Sequence, residues 1–190
     1  MVGALAARLG KLTLALQALP SAAFAHRLDE YLQATLVAIE PGRIELSIRL
    51  TPGVDVADAV LEHIDFDRDG RISESESATY SELVRRDFEL RVDRETLELA
   101  TIAAVLPTPA ELRTGEGIIE LELVAEAALA PGRHVLVLAN RHDSRIGAYL
   151  FNASLPRSPT IAIAQQRRNA DQSIGEIDFT VAPSATAATP

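Results

Sequence analysis

From Tyr31 onward, apolar and polar side chains alternate with a period of two along most of the chain. That period marks strands with one face turned to a core. Tyr31–Glu40 and 43–50 are the first two such runs, and Pro41-Gly42 between them predicts a hairpin turn. Phe88, Leu90 and Val92 share one face of a strand over Phe88–Val92, and Asp93-Arg94-Glu95 turns the chain into another over 96–106. Pro107, Pro109 and Gly115 then predict a loop holding at most a helical turn. Across 118–124 the alternation is clean, with Ile119, Leu121 and Leu123 opposite Glu120 and Glu122. Pro131-Gly132 signals a further turn, followed by strands over 134–139, 148–155, 160–165 and Ile174–Val181. Short strands at this spacing predict a mainly β fold, a β-sandwich.

The period changes between residues 54 and 87. Val56, Val60, Leu61 and Ile64 recur at helical spacing over 56–64, with Asp55 and Asp58 near the start. Glu74–Arg86 carries Ala78, Leu83 and Val84 on one side and Arg85 and Arg86 in its last turn, where the helix dipole favours cations. Between the two lies Asp65-Phe-Asp67-Arg-Asp69-Gly70-Arg71-Ile72-Ser73-Glu-Ser-Glu76. Oxygen-bearing side chains fall at positions 1, 3, 5, 9 and 12 of this loop, with Gly at 6 and an aliphatic residue at 8, the pattern of a Ca²⁺-binding EF-hand. Ca²⁺ is a hard cation that takes about six to eight oxygens. Asp65, Asp67 and Asp69 supply three carboxylates from alternate residues, Gly70 permits the turn that brings the Arg71 carbonyl inward, Ser73 contributes directly or through water, and Glu76 closes the site with both oxygens. The helix-loop-helix is expected as an insertion between strands of one sheet.

EF-hands normally pair through position 8, and no second loop is present. Asn169-Ala-Asp171-Gln-Ser173 has Ile174 where Gly is needed and lacks a closing Glu. Ile72 is therefore expected to pack against the sheet or a loop, and the metal to act as a structural clip on an interaction module.

The N-terminus bears on compartment. Arg8 and Lys11 make a basic start, 12–19 an apolar stretch, and Ala23-Phe24-Ala25 a cleavage signal before His26. Residues 1–25 thus read as a secretory signal peptide, too short and too broken by Gln17 and Pro20 to span a bilayer. Periplasmic or secreted localisation follows as an expectation. Loss of that leader, which holds two basic residues and no acid, takes the formal net charge from −9 to −11. Such acidity argues against nucleic acid and anionic membrane surfaces as partners. About 165 residues would remain, enough for a single cored domain over 26–181 with the EF-hand at 54–87. The chain has no cysteine, so disulfides and thiol chemistry are excluded. Residues 182–190, rich in Ala, Pro, Ser and Thr, read as a disordered tail.

A mature N-terminus at His26, a β-hairpin, an Asp-x-Asp-x-Asp-Gly loop at 65–70 and the strand Leu90-Arg-Val92-Asp93 resemble the extracytoplasmic domain of bacterial HupE/UreJ-like membrane proteins. Those are nickel or hydrogenase/urease accessory transporters in which a similar domain precedes membrane helices. The resemblance spans roughly 26–181 and implies a Ca²⁺-binding module with an envelope or membrane protein partner. After the leader no apolar stretch reaches transmembrane length, so transport itself does not carry over.

The four histidines suggest an alternative. His26, as a free N-terminus with Asp29 nearby, has the donors to chelate copper or nickel, and His134 and His142 bracket a strand; this would make a transition-metal accessory protein. His63 reads as an ordinary helical residue, and Asn152-Ala-Ser154 as strand. No Gly-x-Ser-x-Gly elbow, His-Glu-x-x-His or phosphate-cradling Gly loop occurs, and Glu120 and Glu122 sit on an outer strand face. The chain is expected not to be an enzyme.

Overall fold

The alternating runs become ten strands, in a computed structural model that describes residues 28–183. In chain order the elements are β1 (Tyr31–Glu40), β2 (Gly42–Pro52), α1 (Ala57–Leu61), α2 (Glu74–Arg86), β3 (Phe88–Val92), β4 (Glu95–Leu97), β5 (Ala100–Val105), α3 (Pro109–Arg113), β6 (Ile119–Ala127), β7 (Gly132–Asn140), β8 (Gly147–Ala153), β9 (Ile161–Arg168) and β10 (Ile174–Val181). They form two five-stranded sheets, ordered β5-β6-β2-β1-β8 and β4-β3-β7-β10-β9. Every pairing is antiparallel except β1 with β8, which is parallel. The fold is a β-sandwich, as the strand pattern predicts.

Inward rows from both sheets merge into one hydrophobic cluster that includes Val37, Ile39, Leu46, Ile48, Leu121 and Leu123 from the first sheet and Leu90, Leu136, Leu138, Ile177 and Phe179 from the second. Glu120 and Glu122 do face out, where Arg49 and Ser47 meet them at 2.5 and 2.7 Å. The β1–β2 hairpin turns at Pro41-Gly42, with Gly42 at φ +84°, a conformation open to glycine at little cost.

Three expectations need correction. The helix-loop-helix does not sit between strands of one sheet: it leaves β2 in the first sheet and delivers the chain to β3 in the second. It is the crossover that joins the two layers. The strand expected over 96–106 is two strands in different sheets, because Leu99 (7% exposed) turns into the core between them. Arg85 Nη1 donates to the Leu99 carbonyl at 3.1 Å, supplying a partner at the crossing. The helix expected over 56–64 is regular only over Ala57–Leu61. Beyond Leu61 the His63 and Ile64 amides donate to carbonyls three residues back, a tightened 3₁₀ turn that sets Asp65 at the head of the loop.

Residues 1–27 and 184–190 lie outside the described part, and with them the leader, His26 and nearly all of the predicted tail. Among the described residues no helix is long and apolar enough to cross a membrane.

Candidate metal centre

α2 begins with a capping box. Ser73 Oγ accepts from the Glu76 amide at 3.3 Å, while Glu76 Oε2 accepts from the Ser73 amide at 2.8 Å and the Ser73 hydroxyl at 2.7 Å. Loop positions 9 and 12 therefore also start the helix. Glu76 Oε1 reaches back across the loop to accept from the Phe66 amide at 3.1 Å. Glu76 is 1% exposed, yet its carboxyl is held below the usual glutamate range, chiefly by the Ser73 amide and then by the Ser73 hydroxyl.

The remainder of the loop is organised the same way. Asp65 accepts from the Asp69 amide through Oδ1 and the Gly70 amide through Oδ2, each at 3.1 Å. Asp67 accepts from the Asp69 amide at 3.0 Å, and Asp69 from the Arg71 amide at 2.8 Å, two successive side-chain turns of the kind short Asp side chains favour. Arg68 and Gly70 take positive φ, +61° and +80°, and make the bend.

This folding brings ligand atoms of Asp65, Asp67 and Glu76 within 4.8 Å of one another. Asp65 is buried with Glu76, and Asp67 is exposed. Asp69 lies outside that trio, exposed on the rim, and the exposed Ser73 spends its hydroxyl on Glu76. Arg71, named for its carbonyl, has its side chain in solvent. Ile72 is half-buried and packs against the hydrophobic cluster, which is where a position-8 residue without a second EF-hand was expected to go. The side-chain donors are all oxygen, a set suited to a hard cation.

The other described histidines do not converge on this loop or on each other. His134 and His142 stand at opposite ends of β7, and hydrogen bonds engage both ring nitrogens of each. His63 is exposed. Asn152 accepts from Arg168 Nη2 at 2.7 Å.

Sequence reasoning passed over one constellation. His142, 2% exposed, places Nδ1 2.8 Å from Asp87 Oδ2 and Nε2 3.1 Å from Tyr80 Oη, and Tyr80 Oη is 2.6 Å from Tyr31 Oη. Gln33 joins the same network by donating to the His142 carbonyl and accepting from Asn140 Nδ2. Tyr80 stands one turn after Glu76 on α2, and Asp87 is that helix's C-cap. The helix that closes the loop is thus pinned to β1 of one sheet and to the residues following β7 of the other. Burial raises the Tyr31 and Tyr80 phenols, so both remain hydrogen-bonding groups and not charges.

The chain matches no family model, no curated protein and no solved structure.

Proposed function

We propose that the protein binds one Ca²⁺ at Asp65–Glu76, and that the ion clips the crossover between the two sheets. The observation carrying this reading is the convergence of Asp65, Asp67 and Glu76 oxygens within 4.8 Å, on a loop whose spacing is that of an EF-hand. Two features favour a static clip over a calcium-driven opening. The Glu76 carboxylate is fixed by the Phe66 and Ser73 amides, and α2 is tied by Tyr80 and Asp87 to the buried His142. The oxygen-only donors favour Ca²⁺ over copper or nickel.

The wider role we infer is that of a calcium-stabilised interaction module in an exported protein. Its support is the leader-like N-terminus and the acidic chain. Calorimetry on the full chain tests the metal reading: a single Ca²⁺ site is expected with Kd of about 10⁻⁴–10⁻³ M, as extracellular modules show. Glu76→Gln should nearly abolish it, and binding unchanged by that substitution would overturn the assignment.

A further inference from the structure

At the end of β7 remote from His142, the His134 ring lies between two hydrogen-bond acceptors. Nδ1 is 2.9 Å from Asp93 Oδ2, in the β3–β4 turn, and Nε2 is 2.8 Å from the carbonyl of Ala130, in the β6–β7 turn. A carboxylate and a carbonyl have no proton to give, so both contacts are hydrogen bonds only when both ring nitrogens carry hydrogen. Neutral imidazole has one N–H and must give up one of the two. The ring packs against Phe179 of β10 at a centroid distance of 5.4 Å and an interplanar angle of 31°, a separation that also suits a cation.

Asp93 is fixed independently of the histidine. Its Oδ1 accepts from the Val135 amide at 2.9 Å, its own amide donates to the Val135 carbonyl at 2.8 Å, and its backbone is at φ +55°. The β3–β4 turn is therefore anchored to β7; in the β6–β7 turn Leu129 packs against the core cluster and its amide donates to the Ala127 carbonyl at 2.9 Å, while the Ala130 carbonyl is held by His134 Nε2. Both turns line a surface cavity of about 620 Å³ with Leu97, Leu129 and Glu126 on its wall.

We propose that His134 is a pH-sensitive clasp: as imidazolium it ties the β6–β7 turn to the β3–β4 turn, and on losing its proton it lets the β6–β7 turn swing away from the cavity. The charged groups around it are Asp93, Arg94 and Glu95 from the β3–β4 turn, Glu126 from β6 and Arg133 beside it on β7. From β10 it meets the uncharged Phe179. Carboxylates outnumber arginines in that set, and Asp93 is in direct contact.

The proton linkage runs in the same direction. The Asp93 carboxylate, and after it the Ala130 carbonyl, raise His134 above the ordinary imidazole value. The clasp is then complete below about pH 6.5 and is lost as pH rises through the higher value in the folded protein. Asp93 is lowered, first by His134 and then by the Val135 amide, so its contribution is lost only in acid, as pH falls below the usual aspartate range.

Nitrogen NMR of the His134 ring in the full chain tests this. A titration above the ordinary imidazole value, with both ring nitrogens protonated at pH 6, is expected; a ring already neutral at pH 6 would overturn the proposal. Asp93→Asn should lower that titration, and an unaltered titration would count against the clasp. As His134 loses its proton, exchange of the Leu129 amide, corrected for intrinsic base catalysis, should quicken by about tenfold for each unit of pKa difference between the closed and open forms. Exchange indifferent to that titration would show that the ring holds no turn in place. If Asp93→Asn does not fold, the wild-type titration and exchange still decide.

Discussion

The ring of Phe151, on the edge strand β8, lies directly over the α-carbon of Gly175 on β10 in the opposite sheet. A Cβ at Gly175 would stand 2.3 Å from two of its ring atoms. Glycine is required there by space, and not by an unusual backbone angle. The inward row of β10 otherwise holds Ile177 and Phe179, both 1% exposed or less, so position 175 is where this row yields volume to the facing sheet.

Gly175→Ala should therefore destabilise the fold by about 2 kcal/mol, through overpacking that moves the Phe151 ring or parts the sheets. Combining it with Phe151→Leu should cost less than the two single changes added, since the smaller side chain frees the space. Urea midpoints on the four proteins measure this, and strict additivity would show that the contact is not what makes glycine necessary.

The buried hydroxyl chain gives a comparison between two tyrosines. Tyr80→Phe removes the hydrogen-bond partner of Tyr31 Oη and of His142 Nε2, leaving Nε2 only the Asp143 carboxylate at 3.4 Å, and should cost about 2 kcal/mol, the range for leaving buried groups unsatisfied. Tyr31→Phe leaves the Tyr80–His142 bond in place and should cost about 1 kcal/mol. Equal losses in chemical denaturation would mean that the link from α2 to His142 contributes little.

Residue pattern reveals which parts of this architecture are local and which are not. Ile119, Leu121 and Leu123 against Glu120 and Glu122 mark strand and face without further information, because a half-buried strand needs only period two. The break at Leu99 left no such trace. Residues 96–106 contain no glycine or proline before Pro107, and a leucine turning into the core looks the same in sequence as one on an inward strand face. The convergence of Asp65, Asp67 and Glu76 follows from the loop spacing, but that spacing gave no sign that Asp69 stays outside the trio. Ser73-x-x-Glu76 is also a capping-box signature, overshadowed by the metal pattern that shares its residues, and Thr108-x-x-Glu111 at the start of α3 is a second one. The His142 network was illegible for another reason. Tyr31, Tyr80 and His142 are 49 and 62 residues apart along the chain, and only the crossover of the helix-loop-helix brings them together.

Ser73 serves the helix and the loop at once, and one substitution separates the two roles. Ser73→Ala removes the hydroxyl that caps α2, a loss of about 1 kcal/mol, which for a domain of this size lowers the calcium-free melting temperature by about 2–4 °C. Position 9 commonly reaches the ion through water, so Ca²⁺ affinity should fall much less than in Glu76→Gln. Calorimetry beside a melting curve in chelator distinguishes them. An unchanged melting temperature would show that the box seen at Ser73 does not stabilise the helix.

Calcium should stabilise the protein without being needed to fold it. The loop carboxylates accept from the Phe66, Asp69, Gly70, Arg71 and Ser73 amides, which offset the repulsion that would otherwise spread Asp65, Asp67 and Glu76. The core shared by the two sheets is built from residues outside that loop, so chelated protein should keep its β spectrum and a cooperative melt. On the proposed reading, Ca²⁺ is a ligand of the folded loop alone. Linkage gives about 2.7 kcal/mol at a hundredfold excess over Kd, which corresponds to a rise of roughly 5–10 °C in melting temperature. Mg²⁺ at the same concentration should give a smaller shift, because its near-octahedral shell at about 2.0–2.1 Å has no place for a bidentate Glu76. Glu76→Gln should remove the Ca²⁺ dependence. A melt indifferent to Ca²⁺ would sink the clip, and a chelated chain with the spectrum of a random coil would show that the sandwich depends on the ion after all.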